Sequence, residues 1–184
     1  MIDVAQNKYL LVIIPPQPVT DFINHYRQQY DQKSFTSIVP HITILPPFYI
    51  RVSESELITK LKKVFNNTLS FEISLTTVDY FEGNNKVAFF KPDSPSSEKI
   101  KALFKVIQTN ISNITTNIWP YYPTNPEKFT PHLTIAEHLP DPDFEQIKQD
   151  LQSLSINQEF IVNSIFLLKK INDHWPVNTE IKFQ

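Results

Sequence analysis

The sequence carries the same five-residue pattern twice, once in each half of the chain. PHITI occupies residues 40–44 and PHLTI occupies residues 131–135, in a chain of 184 residues. The histidines of the two copies, His41 and His132, are therefore separated by nearly half the chain. This spacing indicates an internal duplication, which restricts the fold to one built from two similar halves.

Apolar periodicity predicts a similar order of strands and helices in both halves. Strands are expected at 8–14, 39–45, 69–79, 85–91, 132–136, 159–170 and 175–183, and helices at 18–31, 53–66, 96–111 and 142–154. Ser53 followed by Glu56 forms a capping box that opens the second helix, and Pro46 is expected to end the strand before it. The pattern predicts an α+β protein in which residues 1–184 form a single domain of two similar lobes.

Glycine and cysteine are almost absent, which excludes several kinds of site. Gly83 is the single glycine, so the chain cannot form a glycine-rich loop around a nucleotide phosphate. With no cysteine, thiolate metal sites, cysteine nucleophiles and disulfides are excluded as well. No signal peptide surrounds the short apolar run at 9–14, so we expect a soluble cytoplasmic protein without a membrane partner.

The charge balance limits the partners of this protein. A formal net charge of -2 and a pI near 6.2 argue against coating of duplex DNA, which requires many phosphates to be neutralised. Arg27 and Arg51 are the only arginines, so few residues could clamp a phosphate through a guanidinium group. A small nucleotide or one RNA end is the expected partner, and we expect the protein to act as a monomer.

The chemistry of the repeated pattern suits a phosphodiester. In a strand, His41 and Thr43 point to one face and the intervening isoleucine to the other, and His132 and Thr134 repeat this arrangement. Two imidazoles can act as acid and base on opposite sides of a phosphorus atom. The hydroxyls of the two threonines can donate hydrogen bonds to the non-bridging oxygens. This interpretation requires no metal and no cofactor.

The paired motifs resemble those of the two-histidine phosphoesterase superfamily, in particular its 2'-5' RNA ligase-like and cyclic phosphodiesterase branch. The resemblance rests on both H-x-T motifs, on the PPF after the first and on the F-x-P before the second. It implies a bilobal, pseudo-symmetric α+β fold, with two antiparallel-rich sheets flanking a central cleft and helices outside. It also implies a hydrolase of RNA processing that acts on 2',3'-cyclic phosphates or 2'-5' linkages. By position, His41 and His132 would be the catalytic acid-base pair, and Thr43 and Thr134 would bind the phosphate.

Three other interpretations of the motifs remain open at this stage. The chain could be a non-catalytic module that binds RNA ends or nucleotides in the same cleft. His41, His132 and His138 could instead hold a metal ion together with Glu137 or Asp141, although their spacing matches no short chelating motif. Finally, both histidines could be structural residues that are buried and satisfied by backbone carbonyls.

Residues near the motifs could contact a substrate. Aromatic side chains there could stack on a base, and lysines could attract a phosphate, although such residues more often pack loops or remain solvated. The candidates are Phe48, Tyr49, Trp119, Tyr121, Tyr122 and Phe129, with Lys128, Lys169 and Lys170.

Overall fold

The computed structural model describes residues 7–119, 123 and 125–183, and it shows an α+β fold. The strands are β1 Tyr9–Ile13, β2 Ile42–Ile50, β3 Phe71–Glu82, β4 Lys86–Pro92, β5 Thr115–Asn117, β6 Leu133–Glu137, β7 Gln158–Val162, β8 Ser164–Lys169 and β9 Val177–Lys182. The helices are α1 Gln17–Tyr30, α2 Gln32–Ser37, α3 Glu54–Phe65, α4 Ser94–Ile111 and α5 Asp141–Leu151, with a 3₁₀ turn at Pro126–Lys128. The predicted α+β class is confirmed.

The strands of the described residues form one antiparallel sheet whose order is nearly symmetric. The order is β7-β3-β4-β6-β2-β1-β8-β9, with β5 paired to β2. The two central strands, β2 and β6, carry the two copies of the repeated pattern. Each is joined through a helix to the strand beside it, β2 to β1 through α1 and α2 and β6 to β4 through α4.

The pairing of the two central strands joins the strands on either side of the motifs. β2 and β6 share a single antiparallel partner pair, Ile42 with Leu133, and this pair joins the two groups of strands into one sheet. Beyond this pair, the two strands are not paired with each other. The other edge of β2 pairs with β1 and the other edge of β6 pairs with β4, each over several residues. The sheet therefore separates around the repeated motifs.

Apolar residues on alternate positions of the strands form the main core. Ile42 and Ile44 of β2 and Leu133 and Ile135 of β6 are fully buried there. The helices cover this side of the sheet, with α4 against β2 and α1 against β6. On the opposite side of β1, a smaller cluster unites Leu10, Val12 and Leu168 with Ile38 and Trp175.

The strand of the first motif is longer than predicted, because Pro46 does not end it. β2 continues through Pro46 and Pro47 to Ile50. Its pairing with β1 is irregular in this stretch, where the register shifts between Leu45 and Phe48. Proline is tolerated at such bulges because its nitrogen has no hydrogen to contribute to the ladder.

The helix boundaries follow local signals in the sequence. The predicted capping box is confirmed, since Ser53 Oγ accepts a hydrogen bond of 3.2 Å from the backbone N–H of Glu56 at the start of α3. The first predicted helix, at 18–31, is confirmed as α1. The short helix α2, which was not predicted, follows it and is capped by Asp31, whose carboxylate accepts a hydrogen bond from the N–H of Ser34. No helix among the described residues is long and apolar enough to cross a membrane.

Candidate active site

The four predicted site residues lie at the start of the two central strands and point away from the main core. His41, Thr43, His132 and Thr134 are half-buried, whereas the aliphatic residues between and after them are fully buried. The predicted alternation within each motif is therefore confirmed. Burial of the aliphatic residues fixes which face the imidazoles and hydroxyls occupy, because a shift of one residue would reverse every side chain.

The single partner pair between β2 and β6 brings the two motifs together. Because Ile42 faces Leu133 in antiparallel register, the next positions along the strands set His41 beside Thr134 and Thr43 beside His132. Neighbouring positions across an antiparallel pair have Cα atoms about 4.5–5.5 Å apart before the strands separate. Each histidine thus lies one position from the pair that joins the two motifs.

Both imidazoles are oriented by the same local hydrogen bond. The Nδ1 atom of His41 lies 2.8 Å from the carbonyl oxygen of Val39, and that of His132 lies 2.8 Å from the carbonyl oxygen of Thr130. A carbonyl oxygen only accepts, so each Nδ1 must carry the proton and donate it. In the neutral ring, Nε2 therefore has a free lone pair that can take a proton.

Arg27 ties the two motif segments together from behind the sheet. Its side chain is 1% exposed, its Nε donates to the carbonyl oxygen of Thr134 at 3.1 Å, and its Nη1 donates to the carbonyl oxygen of Ile38 at 3.0 Å. These carbonyls lie where β2 and β6 separate. A buried carbonyl without a partner costs about 1–3 kcal/mol, so the guanidinium supplies hydrogen bonds that the divided sheet lacks.

The surroundings of the two histidines differ in polarity. His41 experiences the positive charge of Arg27. The His132 ring instead contacts two phenylalanines, with ring centroids 5.1 Å from Phe81 and 5.2 Å from Phe89. The first imidazole therefore lies beside a fixed cation, and the second lies against an apolar wall.

These surroundings keep both imidazoles neutral. Burial, the charge of Arg27 and the proximity of His132 lower the pKa of His41 to about 3, against the opposing effect of the hydrogen bond to Val39. Burial also lowers the pKa of His132, while its bond to Thr130 opposes the shift. An anion between the rings would reverse this balance, because a negative charge favours the protonated form.

The two threonine hydroxyls are available to a ligand. Within the described residues, neither the Thr43 nor the Thr134 hydroxyl has a protein hydrogen-bond partner. Both residues are half-buried, so part of each remains exposed. A hydroxyl can donate one hydrogen bond and accept two. Together with two imidazoles, the arrangement could bind a small tetrahedral anion and move protons on either side of it.

The alternative metal site is not supported by the positions of its proposed ligands. Among the described residues, no three histidine, aspartate or glutamate side chains are grouped so that they could hold a metal ion. The His138 side chain is 70% exposed and lies 3.9 Å from the carboxylate of Glu137. Asp141 instead pairs with Lys86 on the surface.

Most of the neighbouring aromatic and basic residues have other partners. Phe48 and Phe129 are buried in the core, and Lys169 pairs with Glu54 at 2.9 Å. Lys170 approaches Asp173, Tyr49 is half-buried, and Trp119 and Lys128 are exposed. Tyr121 and Tyr122 lie outside the described residues.

Sequence reasoning did not assign Arg27, Phe81 or Phe89 to the site. A signal existed for Arg27, since it follows Val19 and Ile23 at helical spacing and so occupies the buried face of α1. A charged residue on such a face requires buried partners. No comparable signal marked the phenylalanines, because they contact His132 only through the pairing of β3, β4 and β6.

Solved structures share this architecture over the whole chain. A Thermus thermophilus protein, TT0787, has a TM-score of 0.67 at 16% identity and covers 96% of this chain and 97% of its own. LigT of Escherichia coli, solved with 3'-AMP, has a TM-score of 0.66 at 12% identity and covers 97% of this chain and 99% of its own. At these identities the likeness shows a shared fold.

The sequence comparisons identify the family. The model of the 2'-5' RNA ligase superfamily matches residues 15–174. A Staphylococcus epidermidis protein named as a putative phosphoesterase is 28% identical over 170 residues, which is 91% of this chain and 94% of that protein. A similarly named protein of Halalkalibacterium halodurans is 27% identical over 179 residues, 95% of this chain and 96% of its own. The chain belongs to the 2'-5' RNA ligase superfamily.

Proposed function

We propose that this protein is a metal-independent phosphodiesterase that acts on 2',3'-cyclic phosphates or 2'-5' linkages of nucleotides or RNA ends. The observation that carries the proposal is the juxtaposition of His41 and His132 around one strand pair, each with Nδ1 fixed by a carbonyl. LigT was solved with 3'-AMP, a product of the type that opening of such a ring gives. We also propose that both groups of strands act as one domain sharing this cleft.

In the proposed reaction, water attacks the phosphorus of the cyclic diester while one imidazole removes a proton from it. The bond from phosphorus to the 2' or 3' oxygen breaks, and the protonated imidazole on the other side gives that oxygen its proton. The product is a phosphomonoester with a free neighbouring hydroxyl. Thr43 and Thr134 donate hydrogen bonds to the non-bridging oxygens, whose negative charge increases in the transition state.

The proposal is tested by chromatographic assay of 2',3'-cyclic nucleotides and of a short RNA with a cyclic phosphate end. We expect ring opening that excess EDTA does not inhibit. EDTA-sensitive turnover would overturn the metal-independent mechanism. Tight binding of 3'-AMP with no turnover on any substrate would instead identify the non-catalytic binding module.

Removing either threonine hydroxyl is expected to slow the reaction. Thr43→Val and Thr134→Val each retain the branched shape but lose the donor, so we expect kcat to fall by about 10²-fold. Steady-state kinetics on a 2',3'-cyclic nucleotide measures the effect, with circular dichroism to verify the fold. A variant that changes KM alone would indicate that the hydroxyl binds ground state and transition state equally.

Ligand binding is expected to take up a proton. In the free protein, both imidazoles are neutral above their lowered pKa values. The negative phosphate of 3'-AMP favours the protonated form of an imidazole and so raises its pKa in the complex. Near neutral pH the complex therefore binds more protons than the free protein and free ligand together. The affinity falls as the pH rises through the raised pKa of that imidazole. Calorimetric titration at pH 7 in buffers of different ionisation enthalpy should show uptake approaching one proton. Equal heats in all buffers would contradict this assignment.

A further inference from the structure

A pocket of about 440 Å³ adjoins the first motif at Pro40. It is lined by residues of α1, of α2, of the segment between α2 and β2, and of the β8–β9 turn, and we call it the Trp175 pocket. Among these residues are Asn24, Phe35, Val39, Pro40, His174 and Trp175. Pro40 is bonded directly to His41, and the carbonyl of Val39 accepts the imidazole proton. A ligand in the pocket would therefore contact the segment that orients His41.

Backbone hydrogen bonds hold the walls of the Trp175 pocket in place. The N–H of Trp175 donates to the carbonyl oxygen of Ser37 at 2.9 Å, which joins the β8–β9 turn to the end of α2. Ile171 and His174 exchange two bonds of 3.0 Å across the turn. The Trp175 side chain also packs against the cluster of Leu10, Val12 and Leu168. The pocket is preformed, so little conformational entropy is lost when it is filled.

The lining of the pocket selects against charge. None of the described residues that line it is a lysine, arginine, aspartate or glutamate, so they offer no counter-ion to a second phosphate. It does contain the aromatic rings of Phe35 and Trp175. These features together suit a planar, uncharged group.

We propose that the Trp175 pocket holds the nucleobase of the nucleotide whose phosphate lies between His41 and His132. The assignment rests on the proposed function and deepens it, since it gives the base of the substrate a place in the fold. Every natural base has a flat apolar face that can lie against an aromatic wall. The pocket therefore favours the presence of a base without choosing one base over another.

The test compares a 2',3'-cyclic nucleotide with the 2',3'-cyclic phosphate of methyl riboside, which has no base. We expect the wild type to show a kcat/KM at least 10-fold higher on the nucleotide. Trp175→Ala should lower kcat/KM on the nucleotide by about 10-fold. It should leave turnover of the base-free substrate unchanged, which shows that the variant is folded and that its catalytic groups are intact.

Two control variants sharpen the comparison. Trp175→Phe keeps an aromatic wall and should retain most of the preference for the nucleotide. Trp119 is the other tryptophan of the chain and is 53% exposed, and Trp119→Ala should leave the preference intact. Loss of the preference in Trp119→Ala but not in Trp175→Ala would place the base elsewhere and overturn the assignment.

The failure of this assignment is distinguishable from failure of the proposed function. Equal turnover of both substrates by wild type and variants would overturn the base pocket while the phosphodiesterase stands. Absence of turnover on either substrate would overturn the proposed function and the base pocket with it. A dinucleotide that ends in the same cyclic phosphate distinguishes a free nucleotide from an RNA end as the source of the base. An enzyme for free nucleotides should turn over the mononucleotide faster than the dinucleotide, whereas an enzyme for RNA ends should not.

Discussion

His132→Ala is expected to lower turnover of a 2',3'-cyclic nucleotide by roughly 10²- to 10⁴-fold, and His41→Ala by a similar factor. Each imidazole transfers a proton on one side of the phosphorus in the proposed reaction. Among the described residues, the hydrogen-bond partner of each ring is a backbone carbonyl, so no titratable side chain is placed to replace it. Alanine removes the proton carrier and leaves the motif strands paired through Ile42 and Leu133.

Single-turnover and steady-state kinetics measure this effect, and the matched control is His25→Ala. His25 lies exposed on α1, so its removal tests whether loss of any histidine slows the reaction. We also expect the wild-type rate to depend on pH as a bell, because one imidazole must be neutral and the other protonated in the complex. Wild-type turnover by His132→Ala would exclude the acid-base role of that residue.

The second large effect is expected on stability. Arg27→Met should lower the free energy of unfolding by about 3 kcal/mol, because the carbonyls of Thr134 and Ile38 both lose a charged donor in a buried site. Methionine is long enough to occupy much of the space but cannot donate. Turnover should fall as well, because these carbonyls belong to the segments that position both histidines.

Urea unfolding measures this effect, and the only other arginine supplies the control. Arg51 is exposed and its Nε donates to the Thr116 hydroxyl at 2.9 Å, so Arg51→Met should cost less than about 1 kcal/mol. Arg27→Lys should restore part of the stability, since a single ammonium cannot reproduce the fork between two carbonyls. Equal stability of Arg27→Met and Arg51→Met would mean that the guanidinium does not hold the motifs together.

Much of the fold followed from local patterns. The capping box at Ser53 and Glu56 and the alternation within both motifs involve residues a few positions apart, so the sequence was sufficient to predict them. The passage of β2 through Pro46 could not be predicted in this way. It depends on an irregular pairing with β1, which is a contact between segments distant in the chain.

The role of Arg27 shows why the surroundings of the site were harder to predict than its central residues. Its position on the buried face of α1 was visible in the sequence, but its partners lie on two other segments. The aromatic wall beside His132 and the Trp175 pocket likewise arise from strands and turns far apart in sequence. Such contacts depend on how the helices and strands pack.

By itself, the sequence determined that two H-x-T segments would each bury their aliphatic residues and present an imidazole and a hydroxyl on the opposite face, because alternation is a local property of strands. Tertiary structure alone decided that the two segments meet at one pair, Ile42 with Leu133, before their strands separate. It also decided that Arg27 fills the separation and that the two imidazoles lie in different surroundings, because charge and burial at a site depend on every segment packed around it.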